Sequence, residues 1–260
     1  MTNADRLITR GVSVRALRGG SGAPIVYIHG AGGLPPWWPF FERLARHYQL
    51  LVPEHPCFGA SDDPPWMRTV ADLAMYYLDV LDATYDAPVH VIGHSLGGWI
   101  AAEAAVRNTH RFASLTLIAP AGIRVKGAPT GDVFIWSPEE LVRNRFHDQR
   151  FAEALLQAPP PSEDETDAAL QTALAAVKFG WEPRWFNPDL DKWLHRISVP
   201  TRIFWGKQDK ILPSVYAQRW KQKIAHADIT LIDACGHLPQ VEKSDLVADA
   251  ILAALDRVPR

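Results

Sequence analysis

Two periodicities alternate along the chain. Short apolar runs rich in β-branched residues read as buried strands: Ile25-Val26-Tyr27-Ile28, Leu50-Leu51-Val52-Pro53, Ala87-Pro88-Val89-His90-Val91-Ile92, Ser114-Leu115-Thr116-Leu117-Ile118, Thr201-Arg202-Ile203-Phe204-Trp205 and Ile229-Thr230-Leu231-Ile232. Between them the apolar positions recur at helical spacing, predicting helices over 37–47, 70–78, 98–106, 214–224 and 241–255. Such alternation implies a mostly parallel, doubly wound sheet covered on both faces. Val12 to Leu17 reads as an additional antiparallel strand at the sheet edge.

The alternation stops between Ala121 and Arg196, which contains no good strand. Ser137-Pro138-Glu139-Glu140 combines an N-cap, proline in the first turn and a reciprocal glutamate. After the Pro159-Pro160-Pro161 break, Ser162-Glu163-Asp164-Glu165 opens a second amphipathic helix. The expected organisation is therefore a core of residues 1–120 and 197–260, with residues 121–196 inserted as a helical lid.

Gly93-His94-Ser95-Leu96-Gly97 lies between a predicted strand and a strong helix former, which is the setting a nucleophile elbow requires. A serine hydroxyl is a poor nucleophile unless a base takes its proton and an acid holds that base. In open parallel sheets such groups collect beyond the carboxyl ends of the strands. His237 follows Ile229–Ile232, and Asp209 follows Thr201–Trp205, each in a loop at that end. The order Ser95, Asp209, His237 is the one expected for this kind of triad. Asp233 is the rival acid and reads better as a strand-end residue; the loop after Ile118, Ala119-Pro120-Ala121-Gly122, offers no carboxylate. The N–H of Leu96, just past the serine, is a ready donor to a developing oxyanion. His94 reads as structural, its side chain pointing away from that of Ser95.

These pieces, together with His29-Gly30-Ala31-Gly32-Gly33, Val199-Pro200-Thr201 through Asp209, and Gly236-His237-Leu238-Pro239 with Glu242, resemble the α/β-hydrolase-fold superfamily, in particular its cap-bearing serine hydrolases. The resemblance runs from His29 through the closing helix and implies an α/β-hydrolase fold with an inserted cap. It implies a cofactor-free, carboxylesterase-like enzyme in which Ser95 attacks a carbonyl, His237 shuttles the proton and Asp209 orients the imidazole. By resemblance the second oxyanion donor is the N–H of Ala31, with Gly32 a nearby alternative. Carbon–carbon bond hydrolases of aromatic-ring degradation share the triad and cap, but often carry asparagine before the serine and methionine after it, where this chain has His94 and Leu96. Lactonase, thioesterase and cofactor-free perhydrolase activities stay open, as does a ligand receptor with a vestigial triad. The loop Glu54-His55-Pro56-Cys57-Phe58-Gly59-Ala60-Ser61 departs from the usual Asp-x-Pro-Gly-x-Gly-x-Ser.

Composition narrows the partners. In 260 residues, 47% hydrophobic and 22% charged with a net charge of −2, no electrostatic case exists for nucleic acid or an anionic membrane. No apolar run approaches a membrane span, and Met1 to Arg6 lack a secretory core, so a cytoplasmic monomer or homodimer acting on a small hydrophobic ester-like molecule is expected. No metal-ligand spacing is present, and Gly30-Ala31-Gly32-Gly33 lacks both the Lys-Ser/Thr of a phosphate loop and the dinucleotide fingerprint. Two cysteines, Cys57 and Cys235, read as reduced, unreactive thiols, with Cys235 open to modification through its nearness to His237. Ten tryptophans are present. Trp37, Trp38, Trp136, Trp181, Trp185 and Trp193 lie in or beside the glycine loop and the insertion. Most are expected to pack the lid, and one or two to line the substrate pocket. Gly32, Trp37, Trp136, Trp185, Leu212 and Leu238 are the pocket candidates.

Overall fold

The computed structural model describes residues 3–258. Met1 and Thr2, which begin the segment read as lacking a leader, lie outside that range, as do Pro259 and Arg260. The strands are β1 (Asn3–Thr9), β2 (Val12–Gly19), β3 (Pro24–Ile28), β4 (Gln49–Pro53), β5 (Val89–His94), β6 (Phe112–Ile118), β7 (Thr201–Gly206) and β8 (Asp228–Ile232). They form one sheet in the order β1-β2-β4-β3-β5-β6-β7-β8. From β4 across to β8 every neighbour is parallel, while β1 and β2 are antiparallel.

The helices around the sheet are α1 (Pro39–Ala45), α2 (Val70–Thr84), α3 (Leu96–Arg107), α8 (Val215–Lys223), α9 (Pro239–Glu242) and α10 (Ser244–Leu255). Residues of α2 and α3 pack with Val26, Val91, Leu115 and Ile203 on one face. Residues of α1 and α10 pack with Ile25, Tyr27, Ile92 and Phe204 on the other. Alternate residues of the same strands thus feed opposite cores, which is why the central runs are apolar throughout.

Three expectations need correction. Val12–Leu17 is antiparallel as expected but not the edge, because β1 pairs outside it from Asn3↔Arg18 to Thr9↔Val12. The two strands are joined by Arg10-Gly11 at φ 55° and 77°, the paired positive values of a tight hairpin turn. The closing helix does not run unbroken from 241. Lys243, at φ −129° and ψ 44°, separates α9 from α10. The helix expected over 37–47 is shorter, because Trp38 is extended and caps Pro39.

Between β6 and β7 the chain forms α4 (Pro138–Arg145), α5 (Gln149–Leu156), α6 (Glu163–Gly180) and α7 (Leu190–Trp193), followed by a 3₁₀ turn over Leu194–Arg196. Both capping boxes form: Ser137 Oγ accepts from Glu140 N at 3.2 Å, and Ser162 Oγ accepts from Glu165 N at 3.3 Å.

Candidate active site

Ser95 stands where β5 turns into α3, at φ 53° and ψ −116°. Strain of this kind persists only when the surroundings hold it. Its N–H donates to Ile118 O at 2.9 Å, and its carbonyl accepts from Trp99 N and Ala121 N. The flanking glycines answer to space. A Cβ on Gly97 would lie 2.0 Å from the Ile28 carbonyl oxygen, and one on Gly93 would lie 2.5 Å from that of Gly97.

The loops after β7 and β8 bring two side chains to this turn. Ser95 Oγ lies 3.0 Å from His237 Nε2, and His237 Nδ1 lies 2.7 Å from Asp209 Oδ2. Asp209 is an acceptor, so Nδ1 carries the imidazole hydrogen and Nε2 receives the hydroxyl proton. The other carboxylate oxygen, Oδ1, accepts from Ile211 N at 2.8 Å and Leu212 N at 2.9 Å, and the carboxylate is fully sealed from solvent. Such an array lets an imidazole take a serine proton while its own charge is compensated. Asp233 instead reaches out to Lys207 at 2.7 Å, three-quarters exposed.

Ala31 lies in the loop that crosses this turn. A Cβ on Gly30 would sit 3.3 Å from Ser95 Cβ. Among the described residues, the N–H groups of Ala31, Gly32 and Leu96 donate to no protein acceptor.

Two further residues position the His237 loop: His94, read from the sequence as structural, and Glu242, one of the residues carrying the resemblance. His94 Nε2 donates to the His237 carbonyl at 3.0 Å, and a Cβ on Gly30 would lie 2.9 Å from His94 Nδ1. Glu242 Oε1 accepts from Gly236 N at 2.7 Å, while Oε2 accepts from His147 N at 2.9 Å and Asp148 N at 2.8 Å. One carboxylate therefore ties the His237 loop to the segment between α4 and α5. Arg145 O, accepting from His237 N at 2.8 Å, makes a second tie.

Beneath the glycine loop lies a neutral histidine pair. His29 and His55 stack with ring centroids 3.6 Å apart. His29 Nδ1 donates to Gly30 O, and its Nε2 accepts from His55 N at 3.0 Å. His55 Nε2 donates to His29 O at 2.9 Å, and its Nδ1 accepts from Tyr77 OH at 2.7 Å. Burial pulls His29 down to about 4 and pulls His55 and His94 well below the ordinary histidine value.

The unusual loop before α2 also becomes legible. Cys57 adopts φ 73°, the conformation glycine usually supplies at that place in the motif. The Glu54 carboxylate accepts from Ser61 Oγ at 2.7 Å, and burial pushes its pKa up. Both thiols are free and buried, and burial pushes both up to about 12. Both thus fit the reading of unreactive thiols, and the nearness of Cys235 to His237 does not make it reactive, because a buried, protonated sulfur is a poor nucleophile.

The pocket candidates separate. Trp185 and Leu212 line a cleft of about 400 Å³ with Ile123, Arg184, Phe186 and Tyr216. Neither Ser95 nor His237 lines it. Trp136 packs on Gly131, one wall of that cleft, beside the Lys210 carbonyl. Leu238 is half-buried next to His237, and Gly32 faces Arg145. Trp37 is a correction: its ring covers Gly19 and its Nε1 donates to Glu42 at 2.9 Å. Gly19 pairs with Leu50 at the amino end of β4, so Trp37 lies at the end of the sheet away from Ser95. Trp38 stacks on Phe41. Trp181 lies under the Arg184 guanidinium, and Trp193 is half exposed.

Among the described residues no group of three or more His, Cys, Asp or Glu side chains is placed to hold a metal ion, and no helix is long and apolar enough to cross a membrane.

A mostly parallel eight-stranded sheet with a strained serine turn at its carboxyl edge defines the α/β-hydrolase class. A model of the alpha/beta hydrolase family matches residues 25–250, and the chain belongs to that family. It is 26% identical over 262 residues to 2-hydroxy-6-oxo-2,4-heptadienoate hydrolase of Pseudomonas putida, covering 94% of this chain and 95% of that protein. It is 30% identical over 247 residues to the dihydrolipoyllysine-residue acetyltransferase component of the acetoin cleaving system of Cupriavidus necator. That match takes in 90% of this chain but spans only 64% of the relative's length. Among solved structures, a serine hydrolase involved in carbazole degradation shares the fold with a TM-score of 0.80 at 23% identity, over 98% of this chain and 99% of that one.

Proposed function

We propose that this chain is a serine hydrolase of small to medium carboxylic esters, working through an acyl-enzyme beneath a helical cap formed by residues 121–196. The observation that carries the reading is the unbroken Ser95–His237–Asp209 chain, with contacts of 3.0 and 2.7 Å. In the first half-reaction Ser95 Oγ attacks the ester carbonyl as His237 Nε2 takes its proton. The carbonyl oxygen gathers negative charge against the N–H groups of Leu96 and Ala31, each worth about 3 to 4 kcal/mol of barrier. Collapse breaks the ester bond, and His237 returns its proton to the departing alcohol. Water then repeats the sequence on the acyl-enzyme, releasing the acid and restoring Ser95. No step calls on a cofactor, and the reading carries no role for nucleic acid or membrane.

Ser95→Ala should lower turnover of short-chain aryl esters by about a million-fold with the fold retained. A fluorophosphonate probe should label wild-type protein at Ser95 and leave the variant unlabelled. Esterase activity or labelling that survives in Ser95→Ala overturns the reading.

Carbon–carbon bond hydrolysis is the second reading, favoured by the similarity along nearly the whole length of the heptadienoate hydrolase. His94 and Leu96 beside the serine favour the ester. A panel joining esters, lactones and thioesters to a vinylogous 1,5-diketone separates these chemistries.

A further inference from the structure

Arg145 ends α4, and its backbone carbonyl holds the amide of His237. Its side chain turns back across the site, where a Cβ on Gly32 would lie 4.0 Å from the guanidinium Nη1. The cation therefore spans the gap between the His237 loop and the glycine loop that crosses Ser95. It is half-buried, and lost hydration lowers its pKa. Yet among the described residues its guanidinium makes no ion pair and no side-chain hydrogen bond. Neighbouring Arg143, on the outer side of α4, pairs with Glu139 at 2.8 Å. The carboxylates of the His237 loop and its surroundings are already committed. Asp209 serves His237 and two amides, and Glu242 serves three amides. The other charged or titratable neighbour it acts on, His94, is neutral and donates to a carbonyl. A partly desolvated guanidinium left unpaired costs stability, and that cost is offset only when an anion arrives.

We propose that the Arg145 guanidinium binds a carboxylate carried by the substrate, so that the preferred esters are half-esters of dicarboxylic acids. The proposal deepens the serine-hydrolase reading and rests on it. The ester carbonyl lies at Ser95 while the far carboxylate meets the planar fork of Arg145, which suits bidentate pairing. The hydrophobic part of the substrate is the chain between these two ends.

The test compares 4-nitrophenyl hydrogen glutarate with the neutral 4-nitrophenyl hexanoate in wild type, Arg145→Met and Arg145→Lys. The wild type should favour the anionic ester in kcat/KM. In Arg145→Met the anionic-to-neutral ratio should fall by about 100-fold, carried mainly by KM, with Arg145→Lys recovering part of it. A ratio in Arg145→Met within about twofold of wild type overturns the proposal, whatever the two absolute rates. Equal loss on both esters is that outcome and assigns Arg145 to the transition state or to packing. Calorimetric titration of Ser95→Ala with 4-nitrophenyl hydrogen glutarate reads binding without turnover. Affinity at least tenfold weaker in Ser95→Ala/Arg145→Met supports the proposal, and unchanged affinity overturns it. Failure of the serine-hydrolase reading shows separately, as absence of fluorophosphonate labelling in wild type.

Discussion

The rim that carries Ser95 and the insertion between β6 and β7 are held together in different ways. In α3, which follows Ser95, every residue from Leu96 to Val106 is buried. In α4 none is, in α5 only Ala152, and in α6 only Ala175, Phe179 and Gly180. The rim gets its geometry from close packing of backbone on backbone, as at Gly97 against Ile28. The insertion reaches it through a few apolar anchors, Phe179 stacked on Phe58 with Ala175, Leu190 and Leu194 in the same core, and through separate polar contacts: Glu242 to His147 and Asp148, Gly59 N to Thr172 Oγ1 at 3.2 Å, and Lys178 to Asp63 at 2.8 Å. Leu170, Leu174, Val177 and Trp181 meanwhile face outward along α6. Dense apolar packing yields a single, stiff arrangement, whereas sparser anchoring, with most of α4, α5 and α6 unburied, lets a region open at lower energetic cost. That division suits the proposed enzyme, whose reacting groups would stay aligned while the insertion moved to admit substrate.

The difference can be attacked from its strongest side first. Asp209→Asn removes the charge that compensates His237 but keeps the shape of the loop, so kcat should drop about ten-thousand-fold with thermal stability almost intact. A loss below a hundredfold, measured on an aryl ester, breaks the claim that the rim works as one preset unit. Gly97→Ala should destabilise the fold by about 3 kcal/mol or more, or prevent folding, because its Cβ meets the Ile28 and His29 carbonyls at 2.0 and 2.4 Å. Urea unfolding checks this; a near-neutral change would mean that the rim gives way more easily than its packing implies.

Acid should weaken the rim as well. His29, His55 and His94 are held neutral in the fold, so below the ordinary histidine value of about 6.5 the unfolded chain binds protons that the native state refuses. Stability is thus full above about pH 6.5 and falls as pH drops towards the folded values, about 4 for His29, which alone accounts for on the order of 3 kcal/mol. Glu54, raised by burial, acts in the opposite sense, and three histidines outweigh it. An unfolding midpoint that stays level between about pH 7 and 4.5 contradicts this. The smallest effect belongs to the insertion: Lys178→Met should cost less than about 1 kcal/mol of global stability, since the pair with Asp63 is solvent-exposed. It should instead speed proteolytic nicking between residues 121 and 196. Equal resistance of variant and wild type would show that the apolar anchors around Phe179 suffice to hold the insertion.

Local chemistry made most of the architecture readable before any coordinates. Apolar runs announced the six parallel strands, the capping box at Ser137 announced α4, and the Ser162–Glu165 run announced α6. Glycines two residues either side of Ser95 announced a turn in which backbones nearly touch. What escaped depends on partners distant in the chain. β1 is polar and short of apolar alternation, and it is a strand because β2 offers it an edge. Lys243 breaks the last helix where the Glu242 side chain is drawn to Gly236, His147 and Asp148. Trp37 sits next to the glycine loop in sequence, yet its ring swings to the opposite end of the sheet to cover Gly19.

Residue type and spacing alone thus sufficed for the fold class, for the turn at Ser95 and for placing Asp209 and His237 in loops beside it, because parallel strands deliver their following loops to one edge whatever the rest of the chain does. Only the folded chain decided which groups meet across that edge. His94 under the His237 carbonyl, Glu242 between two loops and the unpaired guanidinium of Arg145 over Gly32 all join segments far apart in sequence. Such contacts depend on how α4 settles against the rim, and docking of that kind leaves no periodicity to read.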